Sequence, residues 1–215
     1  MLDRWTRARF APLLDRPAAL LLRIGLTPDA VTIIGTLGVC AGALIFFPRG
    51  ELAWGVLFIT LFVFSDNLDG AMARLSGRTG KWGAFLDSTL DRVGDGAVFA
   101  GLALAYVRTD EPVMVGVALA CLVLGGVVSY ARAKAESLGF RANVGVAERG
   151  DRLVLALVAA FLAGLGVPYV LEVVLWALAV LSLVTVVQRM VLVYRQAQPG
   201  VAPDAEGSAD RSADG

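Results

Sequence analysis

The chain has no histidine, only two cysteines and just 18% charged residues. Without imidazole there is no histidine acid, base or metal ligand, so proton transfer or metal binding must rest on other groups. Cys40 and Cys121 lie inside apolar runs with no metal-ligand pattern around them, which leaves them as small buried hydrophobes. Neither sign of charge is in excess, since 19 Lys and Arg balance 19 Asp and Glu. No global basic field speaks for a polyanion, and no nucleic acid partner is expected. A cleavable signal is not expected either: Asp15, Arg16 and Pro17 break the first apolar stretch, and no small-residue cleavage site follows.

What the chain has is grease. It is 57% hydrophobic with a mean hydropathy of +0.71, too apolar for a soluble domain. Apolar runs recur at Ala30–Phe47, Leu52–Phe64, Ala97–Val107, Val113–Val128, Leu153–Val167 and Val170–Val187. A spanning helix needs about 20 residues, which several runs reach alone and others reach with weakly polar neighbours. The expectation is an all-α integral membrane protein with six transmembrane helices. Arg49 and Arg108 are the only basic residues in the turns after spans one and three. Arg and Lys gather instead before span one, around Arg74–Lys81, across Arg132–Arg152 and at Arg189 and Arg195. The positive-inside rule then puts both termini on the cytoplasmic side of the cell membrane.

Residues 1–24 mix Arg with Leu, Trp and Phe, as an amphipathic helix lying in the membrane interface would. "LTPDAVT" starts span one, with Thr27 or Asp29 to cap it and Pro28 for its first turn. The six-helix body is expected over residues 25–197. Residues 198–215 are rich in Gly, Ser, Ala and Asp, cannot bury a core, and read as a disordered cytoplasmic tail.

Five aspartates (Asp66, Asp69, Asp87, Asp91 and Asp95) interrupt this apolar pattern. Asp66 and Asp69 are three apart and Asp87 and Asp91 four apart, so each pair shares a helix face. The short turn around Ser76–Lys81 makes the two helices antiparallel neighbours, which brings four carboxylates together. Each costs roughly 2.5–3.5 kcal/mol at mid-membrane and less near the interface. Arg74 and Arg92 cannot neutralise them all. Hard oxygen ligands without His or Cys suit Mg²⁺ or a similar ion. Gly70, Ala71, Ala73, Gly77, Gly80, Gly83 and Ala84 either let helices approach closely or leave room for a phosphorylated ligand.

Asp66, two residues, Asp69-Gly70, two residues, Ala73-Arg74, eight residues, Gly83, three residues, Asp87, three residues and Asp91 together resemble the motif of the CDP-alcohol phosphotransferase family. The resemblance covers roughly residues 25–195 and implies six helices in a homodimer. It also implies transfer of a phosphoalcohol unit from a CDP-linked donor to an acceptor hydroxyl, with release of CMP. By that likeness Asp66, Asp69, Asp87 and Asp91 hold two Mg²⁺ ions, for which Mn²⁺ can substitute, and Asp91 is the catalytic base. Gly70, Ala73, Arg74 and Gly80 would line the donor site with Asp29, Ala30, Val31 and Thr32. Asp95 has no clear task.

A second polar cluster runs from Ser129 to Arg152. Membrane-flanking charge alone accounts for basic residues there. Paired arginines at the start of a helix, Arg149 and Arg152, also make a phosphate site, which suits an acceptor carrying its own phosphate. The stretch resembles the actinobacterial branch of the family that joins CDP-diacylglycerol to inositol phosphate in the membrane. That branch implies Ser129, Arg132, Lys134, Arg149, Arg152 and Arg189 around the acceptor phosphate. Gly150 stands where the branch has proline, and Arg132 and Lys134 exchange its Lys and Arg. Glycerol 3-phosphate is the alternative acceptor. A divalent-cation transporter is the remote alternative, disfavoured because the outer halves of all spans look apolar.

Overall fold

A computed structural model describes residues 15–63, 65–77, 80–142, 144–145 and 149–198, and among them every regular element is helical. A short helix, α1, covers 15–23. Then come α2 (Pro28–Phe46), a 3₁₀ turn (Phe47–Arg49), α3 (Leu52–Val63), α4 (Ser65–Leu75), α5 (Lys81–Arg108), α6 (Pro112–Ser137), α7 (Arg149–Gly164) and α8 (Val170–Ala197). The start of α2 follows its local signals. Extended Thr27 accepts from the Ala30 N–H at 3.2 Å, and Pro28 occupies the first turn, where its missing N–H costs nothing. Gly50, at φ +82°, closes the 3₁₀ turn in a left-handed conformation.

Six long helices close into a ring, each packed on two neighbours in the order α2, α3, α7, α8, α6, α5 and back to α2. Phe47, Ile59, Val98, Leu102 and Leu175 are almost wholly buried inside it. Glycines allow the closest approaches. A Cβ on Gly101 would meet the Ala43 carbonyl oxygen at 2.5 Å, and one on Gly164 would overlap the backbone of Ala53. Named contacts fix which ends lie together. Trp82 reaches Asp29, and Arg141 reaches Gln196, at one end. Arg108 donates to the Arg49 carbonyl, and Gly164 abuts Ala53, at the other. The first end is called the site end below.

The outside of the ring is apolar, the reverse of a soluble protein. Leu37, Trp54, Leu61, Val123 and Val173 are each more than 60% exposed. Four stretches are long and apolar enough to cross a bilayer: Pro28–Arg49, Leu52–Leu75, Pro112–Ser137 and Val170–Ala197. The chain is an all-helical integral membrane protein. The other two ring helices fall short for different reasons. At 28 residues α5 is about 42 Å long, but its N-terminal part, up to Asp95, carries Lys81, Asp87, Asp91, Arg92 and Asp95. With 16 residues α7 covers only about 24 Å.

Of the expected interfacial segment, residues 1–14 lie outside the described residues. The described part, α1, does not rest on lipid alone: Ala18 is fully buried in a small cluster with Val31, Ala71 and Met72, so α1 packs on α2 and α4. Of the expected tail, 199–215 also lie outside the described residues.

Candidate active site

One expectation is corrected at once. Helices α4 and α5 are not packed neighbours; among the described residues they scarcely touch, and each leans on α2 instead. The cause is their surface. The apolar side of α4, with Ala71 and Met72, is buried beside Val31 of α2, and α5 packs by Gly94 near Val39 of α2. The result is an open cleft floored by α2. A Cβ on Gly77, Gly80 or Gly83 would find nothing within 4 Å, so these glycines hold space and do not serve close helix packing. On the α4 wall, the nearest neighbour of a Cβ on Gly70 would be Arg74 Nη1, at 3.6 Å.

The aspartates stand on both sides of this cleft. Asp69, from α4, is only 8% exposed. Thr32, from the floor, donates its hydroxyl to Asp69 Oδ2 at 2.5 Å. That hydroxyl also lies 3.1 Å from the Pro28 carbonyl, but it has one proton, and the short contact to an anion is the stronger acceptor. Across the cleft α5 carries exposed Asp87 and half-buried Asp91, both close enough for their charges to act on Asp69. Asp91 also pairs loosely with Arg92, at 3.8 Å. Asp66 lies on α4 three residues before Asp69, its side chain outside the described set. Among the described residues no three acidic side chains close on one ion-sized point.

The donor set still fits a hard divalent cation. It consists of carboxylate oxygens, one of them buried and held by a hydroxyl, and like charges on opposite walls need a cation between them. The expected donor-site residues fall on the same three helices and the turn between α4 and α5. Asp29 and Ala30 lie in the first turn of α2, Val31 and Thr32 are buried behind them, and Ala73, Arg74 and Gly80 border the α4–α5 opening. Trp82 was not anticipated. Its indole N–H donates to Asp29 Oδ2 at 2.9 Å and joins the first turns of α2 and α5. A tryptophan in the first turn after Gly80 was the available signal, but its partner lies 53 residues away.

The basic cluster divides in two. Arg152 and Arg189 are buried, at 3% and 6% exposure, and both reach α6 one turn apart. Arg152 Nη2 donates to Gly125 O at 3.4 Å, with its guanidinium flat against that glycine. Arg189 Nη1 donates to Val128 O, and its Nε to Val144 O at 2.9 Å. Ser129 follows Val128 and is half-buried, so these three surround one turn of α6. Arg132 and Lys134 are exposed, and Arg132 pairs with Glu136 at 2.9 Å within its own helix. Arg149 is the first residue of α7, its side chain outside the described set. A cavity of about 80 Å³ lies beside Arg152, lined also by Arg92, Asp95, Gly125 and Gly126. Asp95 therefore lines a cavity with Arg152, one helical turn beyond Asp91.

Residues 25–188 match the sequence profile of the CDP-alcohol phosphatidyltransferase family. A phosphatidylinositol phosphate synthase from Streptomyces avermitilis is 52% identical, over 99% of this chain and 91% of its own length. One from Mycolicibacterium smegmatis is 48% identical, over 86% of this chain and 85% of its own. The crystal structure of the Mycobacterium tuberculosis phosphatidylinositol phosphate synthase with CDP-DAG bound superposes with a TM-score of 0.82, at 43% identity, covering 88% of this chain and 96% of that one. The same enzyme in complex with manganese and citrate gives 0.81, at 44% identity, covering 87% and 90%.

Proposed function

The chain belongs to the CDP-alcohol phosphatidyltransferase family, and from that premise we propose that it moves the phosphatidyl group of CDP-diacylglycerol onto inositol phosphate, giving phosphatidylinositol phosphate and CMP. The observation that carries this reading is the cleft between α4 and α5, with Asp69 on one side, Thr32 bonded to it from the floor, and Asp87 and Asp91 on the other side. The donor bound to the 43%-identical relative supports it.

In this reading the catalytic body is 25–197, all six ring helices cross the membrane, and both termini and the cleft face the cytoplasm. Arg74, Lys81, Arg132, Lys134, Arg141 and Arg195 at the site end, against Arg49 and Arg108 at the other, favour that orientation. Residues 1–24 ride on the membrane surface and 198–215 form a tail. Two such chains associate as a homodimer, through the apolar outer faces.

Asp66, Asp69, Asp87 and Asp91 would hold two divalent ions, Mg²⁺ with Mn²⁺ able to substitute, which supply charge neutralisation for the donor pyrophosphate. The chain's own groups do the rest. Asp29 to Thr32, Gly70, Ala73, Arg74 and Gly80 seat the nucleotide. Asp91 takes the proton of the acceptor hydroxyl as that oxygen attacks the diacylglycerol-linked phosphorus, and the bond to CMP breaks. Ser129, Arg132, Lys134, Arg149, Arg152 and Arg189 hold the acceptor's phosphate. The two buried arginines do most of this, because carbonyls of α6 and of the following loop already fix their guanidinium groups.

The test is CMP release by purified protein with CDP-diacylglycerol, Mg²⁺ and, in turn, inositol phosphate, free inositol, glycerol 3-phosphate and serine. Release with inositol phosphate alone is expected. Release with glycerol 3-phosphate instead would keep the aspartate chemistry and overturn the acceptor.

A further inference from the structure

The described residues of the loop from α6 to α7 are held to α8 at several points. Gln196, one residue from the end of α8, makes a two-bond pair: its Oε1 accepts from the Arg141 N–H at 2.9 Å, and its Nε2 donates to the Arg141 carbonyl at 2.6 Å. A primary amide in that pose offers what a peptide group offers in a strand pair, one donor and one acceptor side by side. Ala142, the next residue, has no exposed surface. Arg189 then takes the Val144 carbonyl. Gly145, at φ +147°, lies so close to Thr185 that a Cβ would meet its methyl at 2.5 Å. Thr185, Arg189 and Gln196 are four and then seven residues apart, which puts them on one face of α8. Arg141, Val144 and Gly145 are thus held along that face as a strap, and α7 begins at Arg149, with Arg152 one turn on.

We propose that Gln196 is a positioning residue for the acceptor phosphate. It touches no substrate. It fixes the loop against α8, so that α7 starts where Arg152 and Arg189 can share one turn of α6. The inference rests on the acceptor reading above, and it requires an amide specifically. Alanine removes both bonds, while glutamate keeps an acceptor for the Arg141 N–H but sets a carboxylate oxygen against the Arg141 carbonyl.

Q196A and Q196E, with the unaltered protein beside them, test this in two ways. Trypsin cleavage after Arg141, which is exposed, reports the strap without any substrate. It should be about tenfold faster in Q196A, the effect of losing two hydrogen bonds of ordinary net strength, and faster also in Q196E, where one bond is replaced by repulsion between the carboxylate and the Arg141 carbonyl. In the CMP-release assay the KM for inositol phosphate should rise about tenfold, with the KM for CDP-diacylglycerol and kcat at saturating acceptor within about twofold of the unaltered protein. Unchanged cleavage in both variants would remove the strap. Faster cleavage with an unchanged acceptor KM would leave the strap but refute its positioning role. A Q196E protein that behaves as unaltered would refute the amide pairing. Equal rises in both KM values would show a general loss of structure and overturn the proposal. If the unaltered protein turns over no inositol phosphate, the acceptor reading fails, while the cleavage rates still decide the strap.

Discussion

Thr32→Val is the sharpest probe of the carboxylate site. Valine keeps the β-branched shape in a position only 7% exposed, so packing is preserved, but the donor to Asp69 is lost. The bond at 2.5 Å is short and charge-assisted, a class worth about 1.5–3 kcal/mol. The Thr32 hydroxyl also occupies one lone pair of Oδ2 and so limits which directions remain for a cation. Losing such an orienting partner costs about 10–100-fold in metal affinity or activity. The assay is CMP release across a Mg²⁺ titration, with Thr32→Ser as rescue and Thr36→Val as control. The Thr36 hydroxyl bonds only the Thr32 carbonyl one turn back, at 3.0 Å, so its loss should be nearly silent. The expected result is a higher Mg²⁺ requirement and a lower kcat/KM in Thr32→Val, restored by serine and absent in the control. A rise in the KM for CDP-diacylglycerol with an unchanged Mg²⁺ requirement would mean Thr32 serves the nucleotide alone, and the argument would fail.

Asp91→Asn should lower kcat by about 10²–10⁴-fold, the usual share of a general base, while donor binding measured by calorimetry stays near that of the unaltered protein. Loss of donor binding along with turnover would count against the base role. Arg152→Ala removes a buried cation and should raise the acceptor KM by about 10–100-fold with little change for the donor, as acceptor-dependent kinetics will read. Gly101→Ala should destabilise the bundle by about 1–3 kcal/mol, seen as earlier thermal unfolding in detergent, because the new methyl meets the Ala43 carbonyl. Gly83→Ala, which meets nothing within 4 Å, should leave unfolding unchanged and instead weaken CDP-diacylglycerol binding by narrowing the cleft.

Where local rules decide the structure, the sequence could be read directly. The Thr27–Pro28 start of α2 is a local signal and appears as expected. The aspartates likewise fall on two helices, Asp66 and Asp69 on α4 and Asp87 and Asp91 on α5. The relation between those helices was not legible. A short turn suggested that α4 and α5 pack together, but turn length says nothing about whether two faces have apolar surface to bury, and here α2 is the better partner for both. The basic cluster was a similar case. Composition places Arg132, Lys134, Arg152 and Arg189 near one membrane face, but burial depends on tertiary contacts. Glu136, four residues after Arg132, was the one local hint that Arg132 would be engaged within its own helix. Gln196 gave no hint at all, because its partner is 55 residues away and each member looks like ordinary surface polarity.

The two halves of the site are stabilised by opposite means, and that difference bears on how they work. On the proposed acceptor side, backbone carbonyls hold the guanidinium groups: Arg152 donates to Gly125 O, and Arg189 to Val128 O and Val144 O. A guanidinium fixed in this way is oriented before any phosphate arrives, so little ordering is left for the binding step. On the donor side the charges are alike. Asp69 has its hydroxyl from Thr32, but Asp87 and Asp91 add charge of the same sign from the far wall, and the glycines between leave the cleft open. In the proposed function, cations brought in with, or ahead of, the pyrophosphate relieve that wall-to-wall repulsion. In that reading the two buried arginines of the acceptor half are oriented in advance, whereas the donor half is completed by what it binds. It follows that substitutions around Gly125 to Ser129 should act mainly through geometry, and those around Asp69 and Asp87 mainly through the metal requirement.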